Sequence, residues 1–197
     1  LIRRIDRGVV ADRRIHLRAR RRHRIGVADE IAVHRLDLGG TNVVTDAACA
    51  SSFAALEMGL NELYLGQSDL VISGGVDAIN DIFMYMCFSK TPALSATGDA
   101  KPFDKDGDGT ILGEGIGMVV LKRLSDALED GDIPYACIRG SAVNQDGASS
   151  GLTVPNGPAQ ERLIRHALSS ARVEPRQVAY LETHGTGTAL GDPIEYR

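Results

Sequence analysis

Apolar positions along this chain fall into short blocks separated by glycine-rich or charged stretches. Phe53, Leu56, Leu60, Leu63 and Tyr64 recur at helical spacing, and the stretch from Asp46 to Ser52 opens that helix. Upstream, Leu38-Gly39-Gly40 reads as a turn and Thr41 to Thr45 as a short strand. Asp69 to Val76 (DLVISGGV) is an apolar run of buried-strand type ended by glycines, and an irregular stretch follows through Phe83, Met84, Tyr85, Met86 and Phe88. Residues 91–110 read as loop. Beyond them come a strand from Gly115 to Leu121, a short helix from Ser125 to Glu129 and a strand from Tyr135 to Val143. A helix from Pro158 to Ala171 follows, with the proline in its first turn, and a fourth strand from Val178 to Glu182 delivers His184 at its end.

Strands alternating with helices predict an α/β sheet with layered packing. Composition supports a folded domain: 197 residues, 43% hydrophobic, without tryptophan and with 22 glycines that favour tight turns and close backbone packing. The net charge of -4 is unevenly placed. The first 36 residues hold 11 of the 22 basic side chains and four of the 26 acidic ones, leaving the remainder acidic. This places a domain boundary near Arg35. Three widely spaced cysteines, Cys49, Cys87 and Cys137, fit neither a disulfide framework nor a zinc site, and a reducing cytoplasm suits them best. No membrane-length apolar run and no apolar signal-peptide core are present, so the protein reads as soluble, with no membrane partner.

Two residues stand out as candidate chemistry. Cys49 lies where a strand gives way to a helix, and a helix entrance presents partly positive N–H groups that favour a thiolate. His184 follows an apolar strand in Thr183-His184-Gly185-Thr186-Gly187-Thr188, where an imidazole donates to a developing oxyanion and the glycines clear space for an extended substrate. Alone, each has an ordinary structural explanation: a packed small-residue cysteine, a solvated strand-end histidine. A rival signal is Asp104 to Ile111, which matches the front half of a calcium-binding EF-hand loop. Its twelfth position is Gly115, not the required glutamate, and Glu114 stands one residue early. The glycine strings at 113–117 and 185–191 lack the helix start that a nucleotide phosphate cradle needs.

The segment Thr45 to Phe53 (TDAACASSF) resembles the active-site signature of β-ketoacyl synthases. Pro102-Phe103-Asp104 with Asp108-Gly109 and Gly113-Glu114-Gly115 is similar to that family's middle motif. Asn144-Gln145-Asp146-Gly147, Leu152 to Gly157 and Gln160 resemble type I polyketide synthases in particular, and Glu182 to Glu195 (ETHGTGTALGDPIE) resembles the segment of the family's first catalytic histidine. The resemblance covers about residues 36–196.

It implies a thiolase-like layered α/β fold, here incomplete, and a decarboxylative Claisen condensation. Cys49 would carry the acyl chain and His184 would assist decarboxylation. Thr186 and Thr188 would bind the phosphopantetheine arm, and Asp192 and Glu195 would belong to a supporting ionic network. Substrates would arrive on acyl carrier protein, with no cofactor or metal bound by the domain itself and no nucleic acid involved. Adjacent synthase domains are expected partners, and a homodimer is expected in the complete enzyme through the strand at Thr41 to Thr45. The family's lysine and second histidine fall beyond Arg197, so this polypeptide alone is expected not to condense chains. Residues 1–35 match nothing expected of the family and are read as a frame-shifted or non-native segment, with a basic surface segment as the alternative. Other readings are a condensing domain of a polyunsaturated fatty acid synthase, a catalytically silent relative, and, from another class, a calcium-binding module.

Overall fold

The computed structural model describes residues 9–12 and 34–197, apart from 79, 92 and 152. The Arg-rich segment assigned to 1–35 thus lies outside the described residues except for Val9–Asp12 and its last two positions. The chain divides into two compact units: one comprises residues up to 76 with 116–143 and 170–172, the other 77–115, 144–169 and 173–197.

In the first unit the strands β1 (Val9–Asp12), β2 (Leu70–Asp77), β3 (Gly115–Arg123) and β4 (Pro134–Ile138) form one sheet in the order β2-β3-β1-β4. β1 runs antiparallel to both its neighbours, with Val9 opposite Arg123 on one side and Ile138 on the other. Helix α1 (Ser51–Tyr64) covers this sheet. Its Leu60 and Leu63 are buried with Val71 of β2 and Leu121 of β3, and Leu56 and Ile138 pack against that cluster. Each fully buried leucine contributes about 1.5–3 kcal/mol of transfer free energy. The helical spacing of Leu56, Leu60 and Leu63 therefore places the core as the sequence predicts.

One side chain fixes the far end of α1. The Arg123 guanidinium donates to the carbonyls of Leu63 (3.1 Å) and Ser68 (2.7 Å), and to Asp69 (2.7 Å) and Asp126. The Leu63 carbonyl, in the last turn where intrahelical donors run out, accepts the Gly66 N–H at 3.2 Å, and the forked cation adds a charged donor there while tying in the Ser68 carbonyl beyond the helix. Burial opposes the charge on Arg123, but Asp69 and Asp126 more than restore it, and its pKa is raised. The adjacent Lys122 pairs with Asp130 and, at 2.7 Å, with Asp132. Helix α3 (Leu124–Asp130) follows β3 directly and ends at Gly131, whose φ of 74° supplies the left-handed C-terminal turn.

The second unit holds α2 (Ile82–Lys90), α4 (Gly157–Ala171, whose last residues belong to the first unit) and the short α5 (Gly191–Tyr196). Asn156 starts α4: its Oδ1 accepts the Ala159 N–H at 3.3 Å, and its Nδ2 donates to the Asp146 carbonyl at 2.6 Å.

The structure corrects four expectations. Residues 82–90 are helical rather than irregular, because Asp81 caps them by accepting from the N–H groups of Phe83 (3.0 Å) and Met84 (3.1 Å). Thr41 to Thr45 and Val178 to Glu182 are not strands. A strand exists only through a hydrogen-bonded neighbour, and among the described residues neither segment has one; Val44 is accordingly 84% exposed and Tyr180 78%. β4 stops at Ile138 instead of reaching Val143, ahead of Gly140, whose backbone lies against Ala171 with no space for a Cβ.

Candidate active site

Cys49 lies in the first unit, exposed, in a single 3-10 turn (Ala48–Ala50) that leads into α1. The residue before it, Ala48, has φ +49°, a left-handed conformation that L side chains resist. Three side-chain hydrogen bonds add to the backbone bonds of this turn, such as Ala50 N–H to the Ala47 carbonyl at 3.0 Å. Asp46 Oδ1 accepts the Ala48 N–H (2.9 Å), Ser51 Oγ accepts the Ala47 N–H (2.9 Å), and the Ser51 hydroxyl donates to the Ala48 carbonyl (2.7 Å). Side chains thus consume the donors just ahead of the cysteine and bracket the strained residue from both sides. Asp46 and Ser51, not among the residues singled out from the sequence, form this clamp. Their spacing about Ala48 was the available signal, since both residue types bond readily to nearby backbone.

The other candidate residues gather in the second unit. Glu195, on α5, accepts the N–H of His184 and that of Gly185 (2.8 Å) with its two carboxylate oxygens. Asp192 is buried, 6% exposed, and accepts from Gly187 N–H (3.1 Å) and Phe103 N–H (2.6 Å). Thr186 Oγ1 and Thr188 Oγ1 are 3.0 Å apart, and Thr188 Oγ1 also accepts the Gly191 N–H at 3.0 Å. The 184–188 loop is therefore pinned to α5 by two carboxylates and a hydroxyl, all acting on backbone N–H groups. The His184 side chain is left exposed. Gly185 and Gly187 take φ values of +52° and +72°, which this winding requires and glycine permits. Among the described residues Asp192 and Glu195 accept charge-assisted bonds from backbone amides.

The middle motif joins this loop. Gly109 N–H donates to the Gly187 carbonyl (3.0 Å), and Phe103, itself at φ +60°, has its ring beside Gly185. The acidic groups of the EF-hand-like stretch are engaged locally. Asp108 accepts from Ser95 Oγ (2.6 Å) and from the Thr97 N–H (2.9 Å) and hydroxyl (3.2 Å), Asp104 from the Asp106 N–H (2.8 Å), and Glu114 from the Asn80 N–H (3.0 Å). The Ser95 hydroxyl is the chief reason that the Asp108 carboxyl titrates below the usual range. Among the described residues, no group of three or more His, Cys, Asp or Glu side chains is placed to hold a metal ion. A cleft of about 630 Å³ between α4 and α5 is lined by Ile164, Leu168, Ile194 and Glu195, but not by His184 or the two threonines. No described helix is long and apolar enough to cross a membrane.

Comparison with known proteins matches residues 12–127 to the family model for the N-terminal domain of β-ketoacyl synthases and residues 135–197 to that for the C-terminal domain. Polyketide synthase GfsA of Streptomyces halstedii is 48% identical over 175 residues, which are 87% of this chain and 2% of that protein. The pikromycin polyketide synthase component PikAII of Streptomyces venezuelae is 46% identical over 169 residues, 86% of this chain and 4% of the relative. The chain thus spans a small fraction of the relatives it matches. Among solved structures, the oxazolomycin ketosynthase domain OzmH KS7 of Streptomyces albus superimposes with a TM-score of 0.80 at 40% identity, over 83% of this chain and 28% of that one. The fold is thiolase-like, covered in part.

Proposed function

The chain belongs to the β-ketoacyl synthase family of condensing enzymes, and from that premise we propose that it contributes the nucleophile and one histidine of a type I polyketide ketosynthase acting as an acyltransferase. The carrying observation is the exposed Cys49 at the entrance of α1, in a turn clamped by Asp46 and Ser51. The Cys49 thiolate attacks the carbonyl of an acyl thioester on carrier-protein phosphopantetheine. A new C–S bond forms, the old one breaks, and the departing pantetheine thiolate takes up the proton that Cys49 gave up on ionising. A malonyl-type carrier thioester then loses carbon dioxide. Its enolate carbon attacks the Cys49 thioester, forming the C–C bond and returning Cys49 as thiolate.

His184 donates to the enolate oxygen as charge develops there, and the Cys49 N–H lies at the helix entrance where a carbonyl oxyanion is stabilised. Thr188 already accepts from Gly191. If its hydroxyl donates to Thr186, then the Thr186 hydroxyl is left to donate to an amide carbonyl of the pantetheine arm. Asp192 and Glu195 are positioning residues for this loop. Carrier protein and neighbouring synthase domains are the partners, the complete enzyme works as a homodimer, and the setting is cytoplasmic. The polyketide assignment is preferred over polyunsaturated fatty acid synthesis because the two relatives named above are polyketide synthases.

Incubation with a short-chain acyl-N-acetylcysteamine thioester tests this reading. Intact-mass and peptide analysis should find one acyl group on Cys49 and none in Cys49→Ala; acylation spread evenly over all three cysteines would overturn it.

A further inference from the structure

Helix α1 and strand β2 approach each other at two points, and each point has a glycine on one side only. At the first, an ideal Cβ on Gly59 of α1 would stand 2.8 Å from Val71 Cγ1 of β2; at the second, one on Gly75 of β2 would stand 2.9 Å from Ser52 Cβ of α1. Real Cβ atoms essentially never lie within 3.0 Å of such a neighbour. The roles are reciprocal: the helix gives way to the strand at one end, and the strand gives way to the helix at the other. The pairing of 59 with 71 and of 52 with 75 has helix and strand running past each other in opposite directions, over about 10 Å of helix and about 13 Å of strand. The first contact lies beside the buried cluster of Leu60, Leu63, Val71 and Leu121. The second lies three residues beyond Cys49.

We infer that Gly75 is a positioning residue for the nucleophile: its missing side chain lets the first turn of α1 seat on β2 and so sets where Cys49 stands. With the Gly59 end anchored in the core, a Cβ at position 75 levers the other end of the helix away from the strand. The turn carrying Cys49 has little slack to absorb this, since Ser51, next to Ser52, is one of the two side chains that clamp Ala48. Gly75 has no left-handed φ, so alanine suits its backbone and the effect is one of space alone. The same geometry supplies its own suppressor. With glycine at position 52, the nearest neighbour of a Cβ at 75 becomes the position-52 Cα, 3.7 Å away, which is ordinary contact. This inference deepens the reading of Cys49 as the nucleophile and rests on it.

The test is a double-mutant cycle over Gly75→Ala and Ser52→Gly, reading iodoacetamide alkylation of each cysteine by peptide mass spectrometry. Cys87 and Cys137 are also exposed and serve as internal references. With Ser52 in place, Gly75→Ala should slow alkylation of Cys49 about tenfold, and of the other two cysteines less than about twofold. In the Ser52→Gly background the same substitution should change Cys49 less than about threefold. An unchanged Cys49 rate, a slowing shared by all three cysteines, or a slowing that persists in the Ser52→Gly background overturns the inference. If Gly75→Ala alone fails to fold by circular dichroism, the double variant decides: folded with a Cys49 rate near that of the parent supports the inference, unfolded overturns it. Failure of acyl transfer in the parent chain with normal alkylation would instead count against the ketosynthase reading and leave the cycle readable.

Discussion

Asp192 accepts the backbone N–H of Phe103 at 2.6 Å, joining residues 89 positions apart. Phe103 is held at φ +60°, a conformation costing a bulky residue about 1–3 kcal/mol. The same carboxylate accepts from Gly187, so one buried group fastens the middle motif and the histidine loop together.

Asp192→Asn keeps one acceptor oxygen and turns an amide toward the other N–H. We expect a loss of about 1–3 kcal/mol, read as a lower melting temperature in differential scanning calorimetry. Phe103→Gly in the same background should recover part of that loss by removing the left-handed strain.

Ser51→Ala removes both the acceptor for Ala47 and the donor to the Ala48 carbonyl. The expected cost is about 1 kcal/mol, with Cys49 acylation slowed while Cys87 and Cys137 react with iodoacetamide as before. Stopped-time mass spectrometry checks both, and an acylation rate equal to that of the parent would contradict the clamp.

Arg123→Lys retains the charge but loses the fork that reaches Leu63, Ser68, Asp69 and Asp126 together. A drop of about 1–3 kcal/mol is expected in urea unfolding. A stability within error of the parent would show that the charge alone suffices.

Asp108 gives a pH signature. Its pKa is lowered in the folded chain, chiefly by the Ser95 hydroxyl, so its contribution is present above the unfolded-state value and is lost as pH falls through the lower folded value. Titration by carboxyl carbon NMR should place Asp108 below ordinary aspartates, and Ser95→Ala should move it back toward them. The protection factor of the Thr97 amide, taken relative to the intrinsic exchange rate at each pH, should fall on acidification over the same range.

Much of this was legible in the sequence. The helical spacing of Leu56, Leu60 and Leu63 located α1 and its buried face, and the motif around Cys49 located the entrance of that helix. Helix α2 escaped because Ile82 to Phe88 is apolar on every side and has no period; only the cap at Asp81 marks it. The segments at Thr41 and Val178 were misread because strand character depends on a neighbour that local pattern does not specify. Asp192 and Glu195 could be picked out by resemblance, but their work on backbone amides could not, since it depends on how the loop winds over α5. Gly75 looked like a strand terminator, and its closeness to Ser52 appears only once helix and strand are stacked.

The position of β1 also bears on how the chain assembles. A four-residue segment met early in the chain fills the slot between two strands made far later, so β3 and β4 gain their shared neighbour only after a long loop closes. Closing it costs entropy before any ladder bond repays it, which makes this step a natural bottleneck. On a ribosome, β1 must therefore wait for β3 and β4 before its two edges are satisfied.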